Sequence, residues 1–473
     1  MRRTLADTRA EAAASPGAGM RRLLAGAALA LVLGAAPAAA GPNLVVGVAE
    51  DAVVNPVPGT SAAQFGLATS LGMRAVRITA PWSPGQTAPD PARLPAYTTA
   101  AQQAALLGIR LYLEVYPASA SAVPADDAAR GQFAAYLRAL ALALPQVRDF
   151  VVGSQANNPA FWPQDAKSAA AYLALLATSY DTLKAVDPSI RVIAASLSSQ
   201  GTPGTWVLTL GQLYRKSGRT TPVMDALAIQ PQNDNAAQPP SFVHPKGPIG
   251  IGDYARLVAN LKRAFDKTAQ PGATLPIVYD GYGVQSLVPP EKAPLYTGSE
   301  TDAVDEATQG ADYAQALQLA ACQPNVAALL FLHTVDEGDL GGLQTGLYYP
   351  DRTPKSDSGA VQSALAGAGA VTCGGTPTPT PQPGRASLQL TIDQATATIG
   401  CDRPCYYVAV LEDDRGVPLR ARQGSFGAGP PVPVAVPTAG LPAGSYSLSV
   451  HLLPRVAPSQ GVVQDGDAFQ LAG

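Results

Sequence analysis

Charge is scarce in this sequence. Of 473 residues only 14% are charged, well under the ~25% usual for soluble proteins. With Lys+Arg 32 against Asp+Glu 35 and a formal net charge of −3, there is no basic excess to neutralise phosphates, which argues against a nucleic-acid partner. Histidine is nearly missing too. His244, His333 and His451 lie far apart, none with a second ligand at metal spacing, so supply alone argues against a zinc site or a Ser-His-Asp triad. No G-x-G-x-x-G follows the first predicted strand, and the sequence calls for no cofactor. Past the N-terminus, no segment reaches the ~20 apolar residues of a membrane span. The four cysteines, Cys322, Cys373, Cys401 and Cys405, form an even set compatible with two disulfides.

What the chain has is apolar bulk and turn formers. Hydrophobic residues make up 47%, with Gly 45 and Pro 44, giving a loop-rich, Ala-padded chain with material for a large core. At the N-terminus, Met20-Arg21-Arg22 precedes an apolar run from Leu23 to Ala36 and then Pro37-Ala38-Ala39-Ala40-Gly41. A positive start, a short apolar centre and an A-x-A end predict a secretory signal peptide within residues 1–40, cleaved near Ala40, and hence a secreted protein. An uncleaved N-terminal anchor is the alternative. Met1 to Gly19 reads either as an extended n-region or as a stretch upstream of the true start. Export also makes disulfides plausible.

From Leu44 onward, short β-branched runs alternate with segments of helical period. Predicted strands are Leu44–Val48, Ala75–Thr79, Arg110–Val115, Phe150–Val152, Arg191–Ala195, Ala226–Ile229, Ile277–Tyr279 and Ala327–His333. Each precedes a helical pattern. In the third helix Phe133, Tyr136, Leu137, Leu140 and Leu144 share a face, and in the sixth Tyr254, Leu257, Val258, Leu261 and Phe265 do. Eight strand–helix units predict an α/β fold, a (β/α)8 TIM barrel over 43–373, with an open doubly wound sheet as the alternative. Residues 374–384, GGTPTPTPQPG, read as a Pro/Thr linker. Beyond it, 385–473 is expected to form a small Ig-like β-sandwich, with strands Ser387–Ile392, Tyr406–Leu411, Val432–Val436 and Ser445–His451. Pro433 and Pro437 restrict the third of these to a sheet edge. Cys401 and Cys405 are spaced for a tight disulfide loop; Cys322 would then pair with Cys373 and pin the barrel's end to its seventh helix.

Function in such barrels sits at the C-terminal strand ends. Three phrases there carry a resemblance: Phe150-Val-Val-Gly-Ser-Gln-Ala-Asn-Asn-Pro-Ala-Phe-Trp162, Pro276-Ile-Val-Tyr-Asp-Gly-Tyr-Gly-Val284, and Asp336-Glu337 followed by Gly341-Gly-Leu-Gln-Thr-Gly-Leu-Tyr-Tyr349. They resemble the strand-four "G-N-E-P-N…F-W", strand-seven "E-Y-G-V" and post-strand-eight "G-W-Q-S-G" phrases of secreted, actinobacterial-type clan A retaining glycoside hydrolases. That family uses one carboxyl as acid/base and a second, ~5–5.5 Å away, as nucleophile. By the resemblance, the acid/base position falls on Gln155 and the nucleophile position on Gly281; Ser154 stands where an Asn holds the sugar. Gln230 and Gln232 replace a His and a Tyr, Leu343 replaces a sugar-stacking Trp, and Arg77 is the family residue that remains. No catalytic pair is intact, which predicts a degenerate site.

Neighbouring carboxylates are the possible substitutes. Asp280 adjoins Gly281, but strand alternation directs it to the helices unless a bulge intervenes. Glu50, Asp51, Glu114, Asp336 and Glu337 stand at other strand ends, each with a plainer reading as a dipole partner, a salt bridge to Arg77 or a rim charge. Aromatic candidates for sugar stacking are Trp82, Tyr116, Phe161, Trp162, Tyr282, Tyr348 and Tyr349, against the alternative that they cap the core. The expected function is a glycoside-hydrolase-like pseudoenzyme that binds a polysaccharide or cell-surface glycan. The first alternative is an active glycosidase with relocated carboxylates such as Glu114 or Glu337. The second is a protein-interaction or cell-wall adhesion module.

Overall fold

A computed structural model describes residues 38–39, 44–165, 167–299, 302–368, 372–373, 388–401, 405–414, 418–426, 429–454, 462–465 and 469–471. The expected signal segment, apart from Ala38 and Ala39, and the 374–384 linker lie outside them.

Eight parallel strands close on themselves: β1 (Val45–Ala49), β2 (Ala75–Trp82), β3 (Arg110–Pro117), β4 (Asp149–Val152), β5 (Arg191–Ser198), β6 (Ala226–Gln230), β7 (Ile277–Tyr282) and β8 (Val326–Leu332). Closure is set by β1 lying beside β8, with Val45 opposite Ala328 and Ala49 opposite Leu332. The intervening helices are α1 (Pro58–Ser70), α2 (Leu94–Leu106), α3 (Asp127–Ala143), α4 (Ser168–Val186), α5 (Pro203–Ser217), α6 (Tyr254–Phe265), α7 (Glu306–Ala321) and α8 (Ser358–Gly367).

The strands are nearly continuous apolar runs because both faces are covered. One set of side chains, including Ala75, Tyr112, Val151, Ile193 and Val278, fills the barrel interior. Their neighbours one position along, such as Val76, Leu111, Phe150 and Ile277, pack outward into the helical layer. Helix starts follow local chemistry. Asp126 accepts from Ala129 N at 2.8 Å to cap α3, and Asp305 accepts from Thr308 N at 2.7 Å to cap α7. At the N-terminal end of the barrel, Asp149 is buried between Arg110, which donates through Nε at 2.7 Å and Nη2 at 2.9 Å, and Arg191, which donates through Nε at 2.6 Å. That triad ties the first residues of β3, β4 and β5 together.

Two strands break register where they approach the C-terminal end. Pairing between β5 and β6 slips between Ala194 and Leu197, with Ala195 (φ 80) and Ser196 (φ 41) in left-handed conformations. Pairing between β7 and β8 slips between Tyr279 and Tyr282. The expectation that Asp280 faces the helices is corrected: it lies two positions on from the interior Val278, and the slip lets Gly281 face the same side. Asp280 Oδ2 lies 3.9 Å from Arg77 Nη1 inside the barrel, rather than facing the helices.

The C-terminal segment folds into two small antiparallel sheets. One orders β9 (Leu388–Asp393), β10 (Thr396–Cys401) and β13 (Gly429–Ala435). The other contains β11 (Cys405–Asp413), β12 (Pro418–Phe426), β14 (Gly444–Pro454), β15 (Val462–Asp465) and β16 (Phe469–Leu471). Ala397, Ile399 and Val434 from the first sheet share a core with Ala409, Leu411, Leu448 and Val450 from the second. As expected from Pro433, β13 is an edge strand. Four strands beyond the predicted set are present. Both disulfides form, Cys322–Cys373 and Cys401–Cys405. Among the described residues, no helix is long and apolar enough to cross a membrane.

Candidate functional site

The residues after β4 are aimed into the barrel mouth by backbone conformation. Gly153 takes φ +85 with the Tyr172 ring 2.9 Å from where a Cβ would stand, and Gln155 takes φ 41. Left-handed geometry at a non-glycine residue is uncommon and gathers at functional sites. Here it is held by Gln155 N donating to Ser196 O at 2.9 Å, so the β5 bulge fixes the β4 loop.

Side-chain amides then form a chain across the mouth. Asn158 Nδ2 donates to Gln155 Oε1 at 2.5 Å, Gln155 Nε2 to Gln230 Oε1 at 3.0 Å, and Gln230 Nε2 to Ser196 Oγ at 3.2 Å. Gly281 lies against the same group. A Cβ there would stand 3.1 Å from Leu332 Cδ2 and 3.2 Å from Gln230 Cγ, and its carbonyl accepts from Gln232 Nε2 at 2.7 Å. Gln155, Gln230, Gln232 and Gly281 therefore converge. Ser154 is buried beside them. Asn158 and Ser196 belong to this group but were not singled out from sequence. The Asn158 amide was present in the strand-four phrase, whereas Ser196 depends on a bulge.

Below the amides is a buried charge cluster. Arg77 Nη1 is ion-paired with Glu114, with Asp280 on the same guanidinium nitrogen; Glu114 is 1% exposed and Asp280 0%. Burial raises the Asp280 pKa, partly offset by the Arg77 charge. Glu114 is thus engaged in a salt bridge and shielded from the mouth.

The other strand-end carboxylates have mostly neutral partners. Glu50 accepts from Thr334 N at 3.0 Å and Thr334 Oγ1 at 2.7 Å, and Asp51 accepts from Thr79 N and Oγ1, both at 2.6 Å. Glu337 accepts from Leu343 N at 3.0 Å and lies 3.7 Å from His333 Nδ1. Asp336 is buried, 2.9 Å from Lys355 Nζ and 2.7 Å from the donating Tyr296 hydroxyl; burial raises its pKa against the opposing Lys355 charge. These groups, with Arg77 and Thr79, border a cavity of about 490 Å³ over the ends of β1, β2 and β8.

The aromatic candidates divide by burial. Trp162 is 1% exposed, donates through Nε1 to Ser168 O at 3.2 Å and meets Tyr172 edge-on. Tyr282 is buried against Tyr313 and Phe331. Trp82 is buried on Phe133. Tyr116 and Phe161, an edge-on pair at 6.3 Å, are half-buried and keep some ring surface free. Leu343, at the expected stacking position, is also half-buried.

No family model matches the chain, and no curated protein matches it. Among solved structures, it is similar to a glucosidase from Croceicoccus marinus, with a TM-score of 0.54, 14% identity, and 84% of this chain covering 94% of that one. It is also aligned with a GH39 enzyme from Xanthomonas axonopodis pv. citri (TM-score 0.46, 15% identity, 85% and 93% covered). A GH5_18 protein from Bifidobacterium longum subsp. infantis gives a TM-score of 0.47 at 14% identity, with 68% and 78% covered. At these identities the likeness is one of fold.

Proposed function

We propose that this chain is a secreted, glycoside-hydrolase-like barrel protein that binds carbohydrate without hydrolysing it. The observation that carries the reading is the hydrogen-bonded Gln155–Gln230 pair lying against Gly281. A retaining glycosidase needs a proton donor and a nucleophile on the two sides of the scissile bond. An amide has no proton to give at a useful pKa, and glycine has no nucleophilic atom. Amides do, however, donate to and accept from sugar hydroxyls, and the half-buried Tyr116–Phe161 pair offers ring surface.

Relocated catalysis is less well supported. Glu114 is buried and neutralised by Arg77, while Glu337, with 47% of its side chain exposed, lacks the burial that would raise a carboxyl into the acid's role. In this reading the barrel (43–373) holds the glycan and the 374–384 linker spaces the 385–473 sandwich from it.

A glycan-binding screen with the exported chain, run beside a reducing-sugar assay on each glycan bound, tests the proposal. Binding with no product is expected. Hydrolysis that disappears in Glu114→Gln or Glu337→Gln would establish the active-enzyme alternative instead.

A further inference from the structure

The amide chain occupies the side of the mouth between β4 and β7, whereas the cavity of about 490 Å³ opens over β1, β2 and β8. Its volume is in the range of small-molecule sites, roughly 300–1,000 Å³. We infer that this cavity binds a saccharide unit carrying a protonated amine, an inference that rests on the carbohydrate-binding reading above.

Charge accounting supports a cationic ligand. Arg77 at the cavity floor is neutralised by Glu114, and Asp336 by Lys355. Glu50 and Asp51 are held by backbone N–H groups and threonine hydroxyls, and among the described residues neither has an ion-pair partner. Those donors orient the carboxylates without cancelling their charge. Glu337 adds a third carboxylate to the lining, and Arg352 a guanidinium. The cavity is therefore negative when His333 is neutral. The same field reaches Tyr116, whose phenol is raised first by burial and then by the Asp51 charge.

Gln64 supplies an independent pointer to a ligand. It projects from α1 to line the cavity, is 7% exposed, and its side chain makes no hydrogen bond among the described residues. Its amide atoms stay accessible from the cavity, so its two donors and one acceptor are placed for an occupant. Hydroxyls suit the amide and an ammonium suits the carboxylates. A hexosamine with a free amine presents both.

The test is calorimetric titration of the full exported chain with a glucosamine disaccharide, its N-acetylated form, a neutral glucose disaccharide and spermidine, at a pH where the amines are protonated. The glucosamine disaccharide is expected to bind about tenfold tighter than its N-acetylated form, and the preference should shrink as salt rises. Glu337→Gln should erode the preference and Gln64→Leu should weaken both saccharides. Arg352→Asn, on the exposed rim and compatible with its φ of 64, should strengthen amine binding several-fold, a gain that misfolding cannot mimic. Equal binding of charged and neutral disaccharides overturns the inference and leaves the carbohydrate reading standing. Spermidine binding without any saccharide binding overturns the saccharide assignment, as does no binding by any probe; the carbohydrate reading itself falls only if the glycan screen is blank as well. An amine preference unchanged in all three variants overturns the assignment to this cavity.

Discussion

Asp357 stands at the start of α8 against Gly310 of α7, 4% exposed, and neither carboxylate oxygen finds a hydrogen-bond partner among the described residues. Burial pushes its pKa up to about 7; Lys355 opposes the rise, while Glu306 and Asp336 add to it. Between its ordinary value and about 7 the unfolded chain ionises this group while the folded chain keeps it protonated. Its contribution to stability therefore falls as pH rises through that window and levels off above it. Asp357→Asn should flatten this part of the profile, gaining on the order of 3 kcal/mol over the wild type at pH 8 relative to pH 4. Urea midpoints across that range would measure it, and parallel profiles would refute it. Sequence reasoning passed over Asp357 because Ser-Asp-Ser before a helix reads as an ordinary cap, and its burial is decided by α7. Gln155, Gln230 and Gly281 were legible because each ends a strand, and a closed barrel brings strand ends together whatever the intervening loops.

Strands were readable as elements, but their irregularities were not. Arg191–Ser198 and Ile277–Tyr282 have the expected apolar character, yet nothing in their own residues announces a slip against the neighbour, since register belongs to the pair. Those slips bring Ser196 to Gln155 and let Gly281 share the inner side with Asp280, which follows the interior Val278 by alternation. In the sandwich, Pro418–Phe426 reads as a loop because the half-buried Arg420 and exposed Arg422 give it a polar look. The N-terminal ends of β3, β4 and β5 carry a different consequence. Asp149 serves two guanidinium groups at once, and its removal leaves both half-buried without a carboxylate. Asp149→Ala should cost roughly 3–5 kcal/mol, read as a lowered denaturation midpoint with no change in any binding at the mouth, because the triad lies at the opposite end.

Across the whole barrel, the first strand must find the last, and Val45 meets Ala328 only after most of the chain has been made. The Cys322–Cys373 disulfide acts on that closing region, linking the end of α7 to residues beyond α8 across a sequence separation of 51. In the chain-entropy picture such a loop contributes about 4 kcal/mol. Replacing both cysteines by serine should lower stability by up to that amount in a urea titration, and an unchanged midpoint would show that α8 packing alone holds the end. The repeat of eight units made the barrel evident from sequence, whereas the position of its cavity depends on which strand ends are filled by side chains from α1 and the loops. Position 281 shows what such filling means. Any side chain arriving there needs Gln230 or Leu332 to give by a few tenths of an ångström, since their atoms lie 3.1–3.4 Å from where its Cβ would be. Leu332 and Gln230 thus form the wall of position 281, and a substitution at either one changes how readily that position accepts a side chain.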